Sequence, residues 1–105
     1  MLQIAGSLRN FGGWSFNLID SKLIWSDEVA AIHDMPPSVN VSIEQALRVF
    51  NARSRVKIEN FFSVCINNGM PHESEFEIIT AKNREIWVRC IGRAVKNSDD
   101  EIVRI

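Results

Sequence analysis

Few side chains in this sequence could do chemistry. Cys65, Cys90, His33 and His72 are the soft or titratable ligand types, two of each. Their spacing matches no zinc or other metal motif, in which paired ligands stand within a few residues of one another. Both cysteines lie in apolar contexts and read as reduced, buried thiols rather than as a disulfide framework. His33 beside Asp34 and His72 before Glu73 read as capping or surface residues. Glu73, Glu75 and Glu77 offer carboxylates for acid–base work. A spacing of two puts all three on one strand face beside arginines, the pattern of a solvated or ion-paired surface. Gly12-Gly13 precedes a strand pattern, so it presents no amides at a helix N-terminus for a phosphate. With neither a nucleophile beside a base nor a phosphate-cradling loop, the domain is expected to be non-catalytic.

Whatever the chain does must then come from a fold that shapes a surface or an interior. Its 105 residues suit one domain with a moderate core, and 46% hydrophobic against 24% charged residues fits a soluble globule. A net charge of -1 supplies no field for nucleic acid or an anionic membrane, so neither is an expected partner. No apolar run approaches the roughly 20 residues that span a bilayer. The start lacks a signal peptide's basic-then-apolar order, which leads us to expect a cytoplasmic protein.

Local patterns supply the elements. Ile4, Leu8 and Phe11 share one helical face, predicting a short helix over 2–11 that needs a surface to lie on. Trp14–Leu18 and Leu23–Trp25 alternate as strands around a turn at Asp20-Ser21-Lys22. Ser26 caps a short helix that opens with Asp27 and Glu28, runs to about His33 and is stopped by Pro36-Pro37. Ser42 starts another, and Ser54 is expected to cap a longer one with a buried stripe of Ile58, Phe61, Phe62 and Cys65, ending at Asn68-Gly69. Alternation returns over 72–80, over 85–95 after a turn at Lys82-Asn83-Arg84, and over 101–105. Strands segregated from helices in this order argue an α+β domain with an antiparallel sheet.

The 85–95 stretch has two unlike faces. Ile86, Val88, Cys90, Gly92 and Ala94 form a small apolar one; Trp87, Arg89, Ile91 and Arg93 mix large apolar and guanidinium groups. Aligning the apolar faces of 72–80 and 85–95 predicts Glu77 opposite Arg89, Glu73 opposite Arg93 and Ile79 opposite Trp87.

Gly13-Trp14-Ser15-Phe16-Asn17-Leu18, then Leu23-Ile24-Trp25-Ser26-Asp27-Glu28, and the closing Glu85–Arg89, Gly92–Val95 and Asp99-Asp100, together resemble the third type of PAS fold. The resemblance spans about 12–105, with 1–11 as an N-terminal flanking helix. Asn51–Arg55 departs from the family's usual approach to its long helix, Asp34 and Asn83 stand where glycines are common, and the Asp-Ile-Thr ending is missing. The resemblance implies a five-stranded antiparallel sheet with helices packed on one face around a small cavity. Phe61, Phe62, Cys65, Phe76, Ile78, Val88, Cys90 and Gly92 would line that cavity. Ile79, Trp87, Arg89 and Ile91 on the other face, with Ile4, Leu8 and Phe11 of the flanking helix, would form the dimer interface.

No flavin or haem is expected on this resemblance. Cys65 lacks the asparagine-cysteine-arginine-phenylalanine signature of flavin photoreceptors, no histidine stands between Arg53 and Asn68 for haem, and the chain has no tyrosine to support a cinnamate chromophore. A small apolar or planar ligand fits the uncharged walls, with Trp14, Phe16 and Trp25 as further stacking surface. The implied function is a sensory module of a bacterial signalling protein, homodimeric and coupled to an output domain of the same protein. That output would be a histidine kinase or a GGDEF/EAL-type cyclic-di-GMP enzyme. The alternative is a ligand-free dimerisation and protein-interaction module.

Overall fold

The computed structural model describes residues 1–4, 11–68 and 71–105. Strands β1 (Leu2–Ile4), β2 (Phe11–Gly12), β3 (Trp14–Asn17) and β4 (Lys22–Trp25) precede helices α1 (Asp27–Ile32), α2 (Ile43–Leu47) and α3 (Ala52–Asn68). Strands β5 (His72–Ile79), β6 (Glu85–Gly92), β7 (Val95–Lys96) and β8 (Ile102–Arg104) complete the chain. The class is α+β with antiparallel pairing throughout the ladders.

Caps start the helices. Ser26 Oγ accepts from the amides of Val29 (3.2 Å) and Gly13 (3.1 Å), so one hydroxyl caps α1 and ties it to the end of β2. Ser42 and Gln45 form a reciprocal capping box on α2. The cap of α3 is not Ser54. Asn51 Oδ1 accepts from the Ser54 amide at 2.8 Å, and Ser54 lies inside the first turn, 4% exposed. Asn caps as well as Ser does, and it sits three residues before the amide it satisfies, which lets the helix begin at Ala52. Asp34 takes the left-handed conformation that ends α1 (φ 58°), and Asn83 (φ 61°) turns the β5–β6 hairpin.

The expected helix over 2–11 is replaced at both ends by strands. Leu2–Ile4 pairs with Phe11–Gly12 and, on its other side, with β6, placing Leu2 opposite Cys90 and Ile4 opposite Val88. Met1 exchanges two backbone bonds with Ile91, at 2.8 and 2.9 Å. An isolated short helix gains little in water, whereas the free edge of β6 offers a row of unpaired amides and carbonyls. Leu8 lies outside the described residues, as does the Gly69 expected to end α3.

That N-terminal strand also explains why the expected single five-stranded sheet is split. The strands order as β2-β1-β6-β5 and β4-β3-β8-β7. With β1 on the edge of β6, strand β8 pairs with Val95 and Lys96 but not with β6, so the expected 85–95 strand divides at Arg93-Ala94. The β5–β6 register also differs from expectation by two residues: Glu75 faces Arg89, Glu77 faces Trp87 and Ile79 faces Glu85. A slip of two keeps every side chain on its expected face, which is why facial pattern alone could not detect it. Arg89 ion-pairs diagonally with Glu73 instead.

Candidate functional site

Between the sheet and the helices lies an apolar cavity of about 70 Å³. Period-two alternation turns Phe76 and Ile78 of β5 and Val88 and Cys90 of β6 inward, each at most a few per cent exposed, to form one wall. Leu2 of β1 joins that wall beside Cys90. Ala46 and Leu47 of α2, Phe50, and Ile58 and Phe62 of α3 lie across from them. Trp14, Trp25, Val29 and His33 close the third side. A lining this apolar suits an uncharged occupant.

Of the eight residues expected to line the cavity, Phe62, Phe76, Ile78, Val88 and Cys90 do so, and Phe61, Cys65 and Gly92 do not. Those three form the solid core behind it. A Cβ added at Gly92 would stand 2.7 Å from Phe61 Cζ and 3.3 Å from Cys65 Sγ. Phe61 and Cys65 are one helical turn apart and together occupy the space that a side chain on β6 would need. The Phe61 ring is edge-on to Phe62 and Phe76, with centroids 5.7 and 5.8 Å away, and lies 5.4 Å from His72. Phe16 stays out of the cavity and packs on Phe62 at 6.3 Å.

His33 is the polar residue that the sequence reading misplaced. It does close α1, but it is 4% exposed and lines the cavity rather than the surface. Its ring stacks on Trp25 with centroids 4.1 Å apart, and Nδ1 lies 2.9 Å from the Val29 carbonyl oxygen. A carbonyl only accepts, so Nδ1 carries the proton and the neutral ring keeps Nε2 as an acceptor. Burial lowers the His33 pKa, against the opposing pull of the Val29 hydrogen bond and the Asp34 charge. Spacing held a clue, since His33 falls four residues after the fully buried Val29 on the same helical face.

The β5–β6 turn fixes this corner. Arg84 donates from Nε and Nη2 to the two carboxylate oxygens of Asp34 at 2.9 and 2.8 Å, and the Ala81 amide donates to the His33 carbonyl at 3.0 Å. The guanidinium of Arg84 holds the Asp34 carboxyl down to about 2. Both thiols lie in the apolar interior. Burial pushes the Cys90 thiol up to about 12 and raises Cys65, so both are protonated at neutral pH. Trp14 Nε1 is buried against the Cys90 thiol.

On the opposite face of the sheet, Trp87 is 50% exposed and Ile79 37%. Lys57 reaches the edge of this surface, its Nζ 5.8 Å from the Trp87 ring centroid and donating to the Glu75 carbonyl at 2.9 Å. Arg89 is engaged by Glu73, Ile91 is half-buried, and Phe11 is exposed on β2. Of Ile4 only the backbone pairing is described. Among the described residues, no group of three His, Cys, Asp or Glu side chains could hold a metal ion. No described helix is long and apolar enough to cross a membrane.

The family pattern of the PAS fold matches residues 22–105, most of the chain, and the chain belongs to that family. Solved structures show the same fold. The N-terminal domain of a diguanylate cyclase with PAS/PAC sensor from Marinobacter aquaeolei aligns with a TM-score of 0.74 at 16% identity, over 87% of this chain and 84% of that one. A sensory box histidine kinase/response regulator from Burkholderia thailandensis aligns at 0.73 and 17%, over 89% and 70%. An RNA-binding Light-Oxygen-Voltage receptor aligns at 0.74 and 17%, and the chain covers 89% of itself but only 26% of that receptor. No curated protein matches the chain.

Proposed function

We propose that this is the sensory domain of a cytoplasmic bacterial signalling protein, which binds a small, largely apolar ligand in the cavity and relays its occupancy through the sheet. The observation that carries this reading is the cavity of about 70 Å³, which well-packed cores do not leave empty without a reason. About half the size of the ~150 Å³ apolar cavity known to accept benzene, it suits a compact molecule rather than a large cofactor. The similarity to domains of a diguanylate cyclase and a histidine kinase supports an output of one of those two kinds. A ligand shifts the sheet only by binding one arrangement better than another.

The test is native mass spectrometry and an absorption spectrum on the purified domain, followed by a thermal-shift screen of small metabolites. A co-purifying mass or a concentration-dependent rise in Tm is expected. The absence of both would reject ligand sensing.

The exposed Trp87 and Ile79 favour a second reading, in which the domain is a homodimerisation and coupling module without a ligand. Sedimentation that shows a dimer in the absence of any bound small molecule would support it.

A further inference from the structure

The lining of the cavity is almost wholly apolar, and its one imidazole, that of His33, stands on an aromatic wall. Trp14 and Trp25 are cross-strand partners, and Trp25 in turn stacks on His33. His33 commits Nδ1 to Val29, so Nε2 is its free nitrogen, with no partner among the described hydrogen bonds. Trp14 Nε1 is fully buried against the Cys90 thiol and offers no free donor to the cavity. A few polar groups set among apolar walls are what fix the orientation of a bound small molecule.

Building on the ligand-sensing reading above, we propose that His33 is the residue that selects the ligand: its Nε2 accepts a hydrogen bond from a small, uncharged molecule carrying an O–H or N–H donor on an apolar body. A cation would be stranded among Phe, Ile and Leu side chains. A carboxylate would meet neutral Nε2 as acceptor against acceptor. Neutral alcohols and N–H heterocycles carry that donor on an apolar body, and within the available volume the ligand has only a handful of heavy atoms.

The experiment is an NMR titration of the intact domain with two matched pairs: pyrazole against N-methylpyrazole, and sec-butanol against butanone. The second member of each pair keeps an acceptor and loses the donor. Binding is read from the methyl signals of Ile78 and Val88, and the contact from the His33 Nε2 nitrogen resonance. The donor-bearing member of each pair is expected to bind about tenfold more tightly and to move the Nε2 resonance, since one net hydrogen bond separates them. In His33→Phe, which keeps the stacked ring, the two members should bind alike. If that variant does not fold, the wild-type Nε2 resonance still decides the matter. Equal binding within each pair, or binding that leaves Nε2 unmoved, overturns the role of His33 while leaving the cavity a ligand site. Silence from every lining methyl with all four compounds removes both.

Discussion

Gly92→Ala tests whether the interior behind the cavity is as tightly filled as its geometry indicates. The added methyl would lie 2.7 Å from Phe61 Cζ and 3.0 Å from Cε1, where carbon atoms normally stand about 3.5–4.0 Å apart. The Phe61 ring would have to retreat by about 1 Å, yet Phe62, Phe76 and His72 hold it on its other sides. Overpacking of this kind costs roughly 1–3 kcal/mol. Replacing glycine also reduces the entropy of the unfolded chain, which returns about 0.4–1 kcal/mol, because Gly92 is not held in the left-handed region. The expected net loss is about 1.5 kcal/mol, or a fall in Tm of about 6–12 °C for a domain of this size. Urea and thermal unfolding followed by circular dichroism would measure it. Phe61→Leu shortens the obstructing ring, so adding Gly92→Ala to that background should cost less than half as much. A Gly92→Ala domain within 0.5 kcal/mol of wild type, or an equal cost in both backgrounds, would refute the packing argument.

Reversing Arg89 and Glu73 together should restore part of what either reversal loses, with a coupling of about 0.2–1 kcal/mol, whereas Arg89 and Glu77 should be additive, as a double-mutant cycle in urea would show. Asn51→Ala should lower stability by about 1 kcal/mol, read as a shift in the urea midpoint at constant slope, because it removes the cap of α3. Acid should weaken the fold in two stages. His33 binds its proton less readily folded than unfolded, so its contribution is complete above pH 6.5 and declines as the pH falls below it. Asp34, held at about 2 against 3.8 unfolded, keeps its contribution above pH 3.8 and loses it towards pH 2. Urea midpoints across this range should lose the second stage in Asp34→Asn. If the outer face mediates self-association, Trp87→Arg should shift sedimentation towards the monomer at unchanged Tm.

Residues whose environment is set by local periodicity were legible from the sequence. Ser26 and Ser42 announce their helices, and the alternation of Phe76, Ile78, Val88 and Cys90 fixes which side faces in. Long-range competition was not legible. Ile4, Leu8 and Phe11 have helical spacing, but Leu2 and Ile4 also alternate, and the edge of β6 decided between the two at residues 2–4. The Arg89 partner depended on a two-residue register that preserves every face. The burial of His33 depends on Trp25 from another element and on the clamp that Arg84 places on Asp34, 50 residues apart in sequence, and no local pattern carries either.

The same competition bears on how a signal would leave the cavity. Strand β6 belongs to three surfaces at once: Val88 and Cys90 to the cavity wall, Trp87 to the exposed face, and its edge to β1. Leu2 of β1 is itself a lining residue, so the N-terminal strand touches the cavity directly instead of sensing it through the sheet. The two neighbours of β6 hold it unequally. Strand β5 pairs with it over eight positions and β1 over three. Short pairings open at lower free energy than long ones, which places β1 among the first elements to yield when the cavity filling changes. An occupant that pressed on Leu2 would therefore act on β1 before it disturbed the β5–β6 hairpin, and the route outward would run through the residues preceding β3 as well as through the exposed face of Trp87.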